Sequence, residues 1–248
     1  MQYITSNSNN LIKELAACKD GKSDIALIDG IKIVKEVAKY GCCCEKVFVL
    51  EDKYDEIKDY LNEKCEVYFV SQNVLEKLSS TKTPQGVVGV VRLEDKPLTI
   101  PKGNFLVLDN LQDPGNLGTI CRSALGADFR DIYLIGCPSY KSSKVIRSTM
   151  GTVLGLNIYN TTYSDLDKML KDNNLPLLVA DLDGENIFDY NPPKQFGIAI
   201  GNEGNGVSDE IVKIATKKIN IPMKNDLESL NAAISTAICM YVLSNKRS

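Results

Sequence analysis

Apolar positions along the chain follow two patterns, and the change between them divides the sequence. In the first 92 residues, short apolar runs alternate with amphipathic stretches. Leu11, Ile12, Leu15 and Ala16 recur at helical spacing and predict a helix over 7–17. Residues 25–28 read as a strand. Residues 30–40 read as a helix with Ile31, Val34, Val37 and Ala38 on one face, and 46–50 as a strand. A helix over 54–62, a strand over 67–70, a helix over 71–78 with Ser71 as N-cap and a strand over 87–91 complete a small α/β or α+β unit.

Residues 93–101 hold two prolines and a run of charge, which marks a linker. From residue 102 onward the apolar runs become nearly continuous: 105–108, 132–135, 177–180, 198–200 and 219–221. Such runs suit strands buried on both faces. Helical segments separate them at 117–127, 141–150, 164–173, 208–216 and 228–245. The alternation predicts a parallel sheet covered by helices. The domain reading is therefore 1–92, a linker over 93–101, and 102–248.

Composition narrows the chemistry. With 44% hydrophobic and 25% charged residues, the 248-residue chain is ordinary globular material. No apolar run approaches the roughly 18 residues of a membrane span. The start, Met1 to Asn7, has neither the basic nor the apolar region of a secretory signal, so a cytoplasmic protein is expected. The chain has no histidine, which removes imidazole acid–base chemistry and every histidine metal site. Its 8 cysteines form no Cys-x-x-Cys pair, and no metal is expected. They read as reduced, mostly buried fillers, including the run Cys42-Cys43-Cys44. Net charge is −3, spread evenly over both parts, so an RNA ligand needs a local basic patch.

In a parallel α/β sheet, ligands bind beyond the carboxyl ends of the strands. Three of the loops there stand out. Asp113-Pro114-Gly115-Asn116 is a turn signal, with Asn116 a candidate N-cap and Arg122 a cation suited to bidentate phosphate contact. Residues 201–208, GNEGNGVS, carry three glycines around Glu203. The order matches neither the dinucleotide fingerprint nor the P-loop. Pro222 ends the last strand, and Ser229 and Asn231 stand at the start of an alanine-rich helix. Each loop alone also fits a purely structural role. Together they predict a cleft rich in amide, hydroxyl and glycine groups, suited to a zwitterionic or nucleotide-like ligand beside a phosphate-bearing partner.

These segments, DPGNLGTICRSA (113–124), IAIGNEGNGVS (198–208) and INIPMKNDLESLNAAISTAI (219–238), resemble the three motifs of the SpoU (TrmH) family of RNA ribose 2′-O-methyltransferases in the SPOUT superfamily. The resemblance runs from residue 103 to the C-terminus. Ile4-Thr5-Ser6 with Asn10, Leu27-Ile28-Asp29-Gly30 and Thr83-Pro84-Gln85-Gly86-Val87 resemble the L30e-like substrate-binding domain of family members, which usually have Glu at the position of Asp29. The resemblance implies an α/β fold in which a SPOUT domain with a parallel sheet and a trefoil knot follows that small α/β domain. It implies S-adenosyl-L-methionine as cofactor, lined by Gly201, Ile221 and Leu230 with Asn202 and Met223 nearby. It also implies a homodimer, RNA as partner and no membrane.

By motif position, Arg122 acts at the target nucleotide, Asn116 positions it or the ribose, and Glu203, Ser229 and Asn231 complete the polar wall. Ribosomal RNA is favoured over tRNA, with guanosine the common family target. Lys141, Lys144 and Arg147 recur every three residues and form a candidate RNA-facing strip. Lys13, Lys32, Lys35 and Lys39 are further candidates. The competing readings are a tRNA ribose methyltransferase, a non-enzymatic RNA-binding protein that keeps the fold, and a class I methyltransferase or nucleotide-dependent oxidoreductase. The last of these lacks its early Gly-x-Gly.

Overall fold

The structure, a computed structural model, describes residues 2–225, 227 and 229–246. The chain packs as two units: residues 2–94 with Ser139–Gly155, and Asp95–Pro138 with the residues from Leu156 onward.

The first unit contains β1 (Gln2–Ile4), α1 (Asn10–Ala17), β2 (Ile25–Asp29), α2 (Ile31–Lys39), β3 (Lys46–Val49), β4 (Glu66–Val70), α3 (Gln72–Leu78) and β5 (Val87–Arg92). Its sheet has the order β1-β4-β3-β5-β2, with β5 antiparallel to β2 and β3 and the other pairs parallel. Asn9 starts α1 by accepting from Leu11 N at 2.9 Å, and Ile12 and Leu15 turn inward onto Phe48, Val74 and Leu75.

Three expectations need correcting here. The segment expected as a helix over 54–62 forms two 3-10 turns, Glu51–Glu56 and Lys58–Tyr60. Only Ile57 is buried there, and the ion pairs Lys53–Glu56 and Lys58–Asp55 span three residues, the spacing that eclipses in a 3-10 turn. Ser71 stands at the N-cap position of α3 without capping it; its hydroxyl is turned toward Thr5 O, 3.1 Å away, and the Asn73 side chain. β1 was not expected; three residues are too few to show alternation, and pairing with β4 makes the strand.

The second unit contains β6 (Phe105–Asp109), α4 (Pro114–Gly126) and β7 (Asp131–Ile135). The chain then contributes α5 (Ser143–Ser148) to the first unit. It resumes with β8 (Asn157–Asn160), α6 (Tyr163–Asp172), β9 (Leu177–Asn186), β10 (Gly197–Ile200), α7 (Asp209–Ile214), β11 (Lys217–Asn220) and α8 (Ala232–Asn245). The sheet is fully parallel, ordered β11-β9-β10-β6-β7-β8. β8 was missed because only Ile158 and Tyr159 carry strand character between two asparagines. β9 runs six residues past the expected 180, through a polar stretch paired to β11 across a shift in register. Residue 228, where the last helix was expected to begin, lies outside the described residues. The order reverses between β6 and β10, which makes the carboxyl ends of those two strands the switch point where a ligand cleft opens.

Residues 139–155 belong to the first unit for a visible reason. Val145 and Ile146 of α5 are fully buried and the helix packs on β2. Ser139 Oγ donates to Gly21 O at 2.7 Å, and Arg147 Nη1 donates to Ser80 O at 3.3 Å. The expected strip of Lys141, Lys144 and Arg147 does not form. α5 begins at Ser143, so Lys141 lies in the preceding turn, buried, with Nζ 2.7 Å from Asp24 Oδ1. Lys144 is exposed and Arg147 half-buried. Lys39 pairs with Glu36 and Lys35 lies over the Tyr60 ring, while Lys13 and Lys32 are exposed.

Truncating a fully buried Ile costs roughly 2–5 kcal/mol. Ile146→Ala therefore lowers the stability of the first unit by an amount in that range in urea titrations and speeds amide exchange in Ala26–Ile28 of β2. Unchanged protection in β2 would show that α5 does not hold that edge.

Candidate active site

A pocket in the second unit lies against mid-β9 and the carboxyl ends of β10 and β11, with a volume of about 460 Å³. Its walls come from three segments: 180–182 at mid-β9, 200–207 after β10, and 219–235 from β11 into α8. Apolar side chains (Leu182, Ile200, Ile221, Met223, Leu230) alternate with polar ones (Asp181, Asn202, Glu203, Ser229).

The glycine-rich loop closes on itself. Asn202 N donates to Gly206 O at 2.8 Å and Gly206 N returns to Asn202 O at 2.9 Å. The Asn202 side chain organises the interior, accepting from Gly204 N at 2.9 Å and Asn205 N at 3.1 Å. Gly201 is required by proximity, since a Cβ there would sit 2.1 Å from the carbonyl of Gly206. Side chains of any size would force the loop open.

Helix α4 starts one turn earlier than expected. Asp113 is its N-cap, accepting from Gly115 N at 3.0 Å, and Pro114 occupies the first turn. That corrects the expected capping role of Asn116 and frees its carboxamide. Asn116 Nδ2 donates to Glu203 Oε1 at 2.7 Å, and Asn116 Oδ1 accepts from Asn231 Nδ2 at 3.0 Å. Asn231 in turn caps α8, its Oδ1 accepting from Ala233 N at 3.0 Å and Ile234 N at 3.3 Å. A directed chain, Asn231 to Asn116 to Glu203, thus links the three segments singled out in the sequence. The far oxygen of Glu203 accepts from Gln112 N at 3.3 Å. Partial burial pushes the Glu203 carboxyl up. The bonds from Asn116 and the loop amides outweigh it and hold the group below the usual glutamate value.

Of the other expected residues, Gly201, Asn202, Ile221, Met223, Ser229 and Leu230 line the pocket. Arg122 does not touch the hydrogen-bonded chain. It lies on α4 about 9 Å beyond Asn116 at 1.5 Å rise per residue, exposed and with no hydrogen bond or ion pair among the described residues. Sequence reasoning missed Asp181 and Leu182, because the strand was ended at 180 where its polar half begins. It also missed Asp109, the last residue of β6, fully buried. The strand-end rule points to that position. The carboxylate was passed over because it closes an apolar run.

The cysteines form no disulfide, and Cys43 is exposed rather than buried. Burial pushes the thiols of Cys44, Cys121 and Cys239 up to about 12, so these stay protonated. Among the described residues no group of three Cys, Asp or Glu side chains is arranged to hold a metal ion.

A parallel sheet with a closed glycine loop and a pocket at the carboxyl end of β10 defines an α/β ligand-binding domain, and comparison identifies which one. The SpoU rRNA Methylase family model matches residues 103–241, and the MRM3-like substrate binding domain model matches 9–89. The chain belongs to the SpoU rRNA methylase family. It is 26% identical to the 23S rRNA (guanosine(2553)-2′-O)-methyltransferase RlmP of Bacillus subtilis, over 98% of this chain and 99% of that protein. A solved RNA 2′-O ribose methyltransferase is 28% identical and superposes with a TM-score of 0.84 over 99% of both chains. An rRNA methyltransferase from Sinorhizobium meliloti, solved with AdoMet bound, shares the fold at a TM-score of 0.90 and 24% identity, over 100% of this chain and 98% of that one.

Because Glu203 is depressed in the folded state, its contribution to stability is present above the usual glutamate pKa and lost as pH falls through the folded value. Asn116→Ala removes the first of the bonds that depress it. The Glu203 carboxyl resonance of that variant should titrate at higher pH than in the parent protein, and an unmoved titration would mean that Asn116 does not hold the carboxylate.

Proposed function

We propose that the protein transfers a methyl group from S-adenosyl-L-methionine to the 2′-hydroxyl of a ribose in structured RNA, with ribosomal RNA and a guanosine target favoured. The observation that carries this is the chain Asn231–Asn116–Glu203, joined through Glu203 to the lining of a pocket of mixed polarity. The pocket fits the cofactor on its own chemistry: apolar walls suit a flat purine, backbone groups and hydroxyls suit a ribose, and carboxylates suit a cationic ammonium. Gly201, Asn202, Ile221, Met223 and Leu230 would hold it. When bound, the cofactor supplies an electrophilic methyl on a sulfonium.

The protein's own contribution is alignment and proton handling. Arg122, exposed and without a partner among the described residues, grips a phosphate next to the target ribose. It stays protonated, so it orients the target nucleotide and does not itself accept the O2′ proton. Asn116, fixed on both sides, presents one orientation of its amide to the ribose. Glu203 and Asn231 fix that orientation, and Ser229 adds a hydroxyl at the rim.

The same reading makes the first unit the RNA-holding part, with 139–155 acting alongside residues 1–92, a linker at 93–101 and the catalytic domain from 102 onward. Lys144, exposed on α5, is its RNA-facing candidate in this segment. The reading extends to a trefoil knot, supported by Ile219–Ile221, Met223, Ser229 and Leu230 lining the same pocket as the 201–206 loop and by the packing of α8 on α4. It also extends to a homodimer in the cytoplasm. Helix α8 is apolar nearly all round, yet Ile234 and Tyr241 are about half exposed, as expected of a helix that a second copy covers.

Arg122→Ala should abolish methyl transfer to RNA while cofactor affinity stays within about twofold by calorimetry. Loss of both together would contradict a role at the target nucleotide. RNA affinity should also fall steeply as salt rises from 50 to about 200 mM, as phosphate contacts require. Salt-independent binding would remove the electrostatic part of the account.

A further inference from the structure

Asp109 takes no part in the mechanism above, yet it is fully buried at the end of the central strand β6. Its two oxygens accept three hydrogen bonds, one of them from the end of the glycine loop. Oδ1 accepts from Tyr163 Oη at 2.8 Å and from Asn110 Nδ2 at 2.8 Å. Oδ2 accepts from Ser208 N at 2.7 Å, where the loop ends and α7 begins. The other end of the loop is fastened next door, as Asn202 Nδ2 donates to Asn110 O at 2.9 Å.

Both ends of the 202–208 segment are therefore tied to two consecutive residues of one strand end. Asn110 reaches that geometry in the left-handed region, at φ 54°, with its amide also bonded to Tyr163 Oη at 2.8 Å. Gly136 opposite it, itself at φ 62°, leaves the room: a Cβ there would lie 2.1 Å from Asn110 Oδ1. The loop tip bears Glu203, which is held from its other side by Asn116.

We infer that Asp109, with Asn110, is a positioning residue that sets the glycine loop and through it the cofactor pocket and Glu203. A buried carboxylate is costly unless fully bonded. This one spends its bonds on joining β6 to α6 and to the Ser208 end of the loop rather than on an ion pair, while Asn110 O holds the Asn202 end. An asparagine at 109 would keep the shape but has a single acceptor oxygen, so its amide would face either the Ser208 N–H or the Asn110 amide donor, and the tie would open on at least one side. The effect on cofactor binding rests on the function proposed above; the effect on the loop does not.

The test compares the full-length parent protein with Asp109→Asn and Tyr163→Phe by two measurements. The first is ligand-free amide exchange, read at Gly206 and Ser208 and, as a reference, at Ile132 and Ile158 in β7 and β8. The second is the Kd for S-adenosyl-L-methionine by calorimetry. Asp109→Asn should speed exchange at Gly206 and Ser208 at least tenfold and raise the Kd at least tenfold, with the reference amides unchanged. Tyr163→Phe, which removes one donor and no charge, should shift both in the same direction by a few-fold. Unchanged loop exchange in a folded Asp109→Asn variant overturns the inference, as does acceleration of equal size throughout the sheet. If Asp109→Asn does not fold, Tyr163→Phe decides: parental exchange in the loop overturns the inference and a local increase supports it. A parent protein that does not bind the cofactor would refute the proposed function while the exchange measurement still decides the role of Asp109.

Discussion

The hydrogen bond between Asn116 and Glu203 is the joint on which the site depends. It connects the first turn of α4 to the glycine loop across 87 residues of sequence, and Asn231 continues the connection to the cap of α8. A bond to an ionised group contributes roughly 1.5–3 kcal/mol when shielded and less at an exposed mouth such as this. Its value here lies in direction. Each amide accepts on its oxygen and donates from its nitrogen, so the chain has a single self-consistent orientation. Three loops with no continuity in sequence thereby present one arrangement of polar groups.

The parallel sheet makes that joint possible. Strand order reverses between β6 and β10, which brings Asp109 and Asn110 at the end of one strand beside the 201–206 loop that follows the other. The absence of histidine then sets the materials: the polar wall is built from carboxamides, a carboxylate and backbone groups. A glutamate held below its ordinary pKa by such partners is suited to orienting neighbours rather than to accepting a proton near neutrality.

Much of this was legible in the sequence because the physics was local. Continuous apolar runs marked the central strands of the second sheet, and glycine with proline marked the loops that follow them. What was not legible depended on tertiary context. β8 has only two residues of strand character, and its neighbour β7 supplies the rest. Lys141 reads as a surface cation by spacing, but the helix starts two residues later and Asp24 draws the ammonium inward. The cap of α4 was within reach: Asp113 and Asn116 are both good N-caps, and proline directly after Asp113 favours the earlier one. The bonds of Asn116 and Asp109 to residues more than 80 positions away had no signature in spacing or composition.

The central claim is that the pocket between the 201–206 loop and the 219–230 segment is the cofactor site and that its mouth faces Asn116 and Glu203. A crystal structure of the protein soaked or grown with S-adenosyl-L-methionine tests it most directly. The account predicts density for the cofactor between those two segments, with the sulfonium methyl turned toward the Asn116–Glu203 wall. Density in another cavity, such as the groove beside Tyr54 and Tyr68 in the first unit, would contradict it.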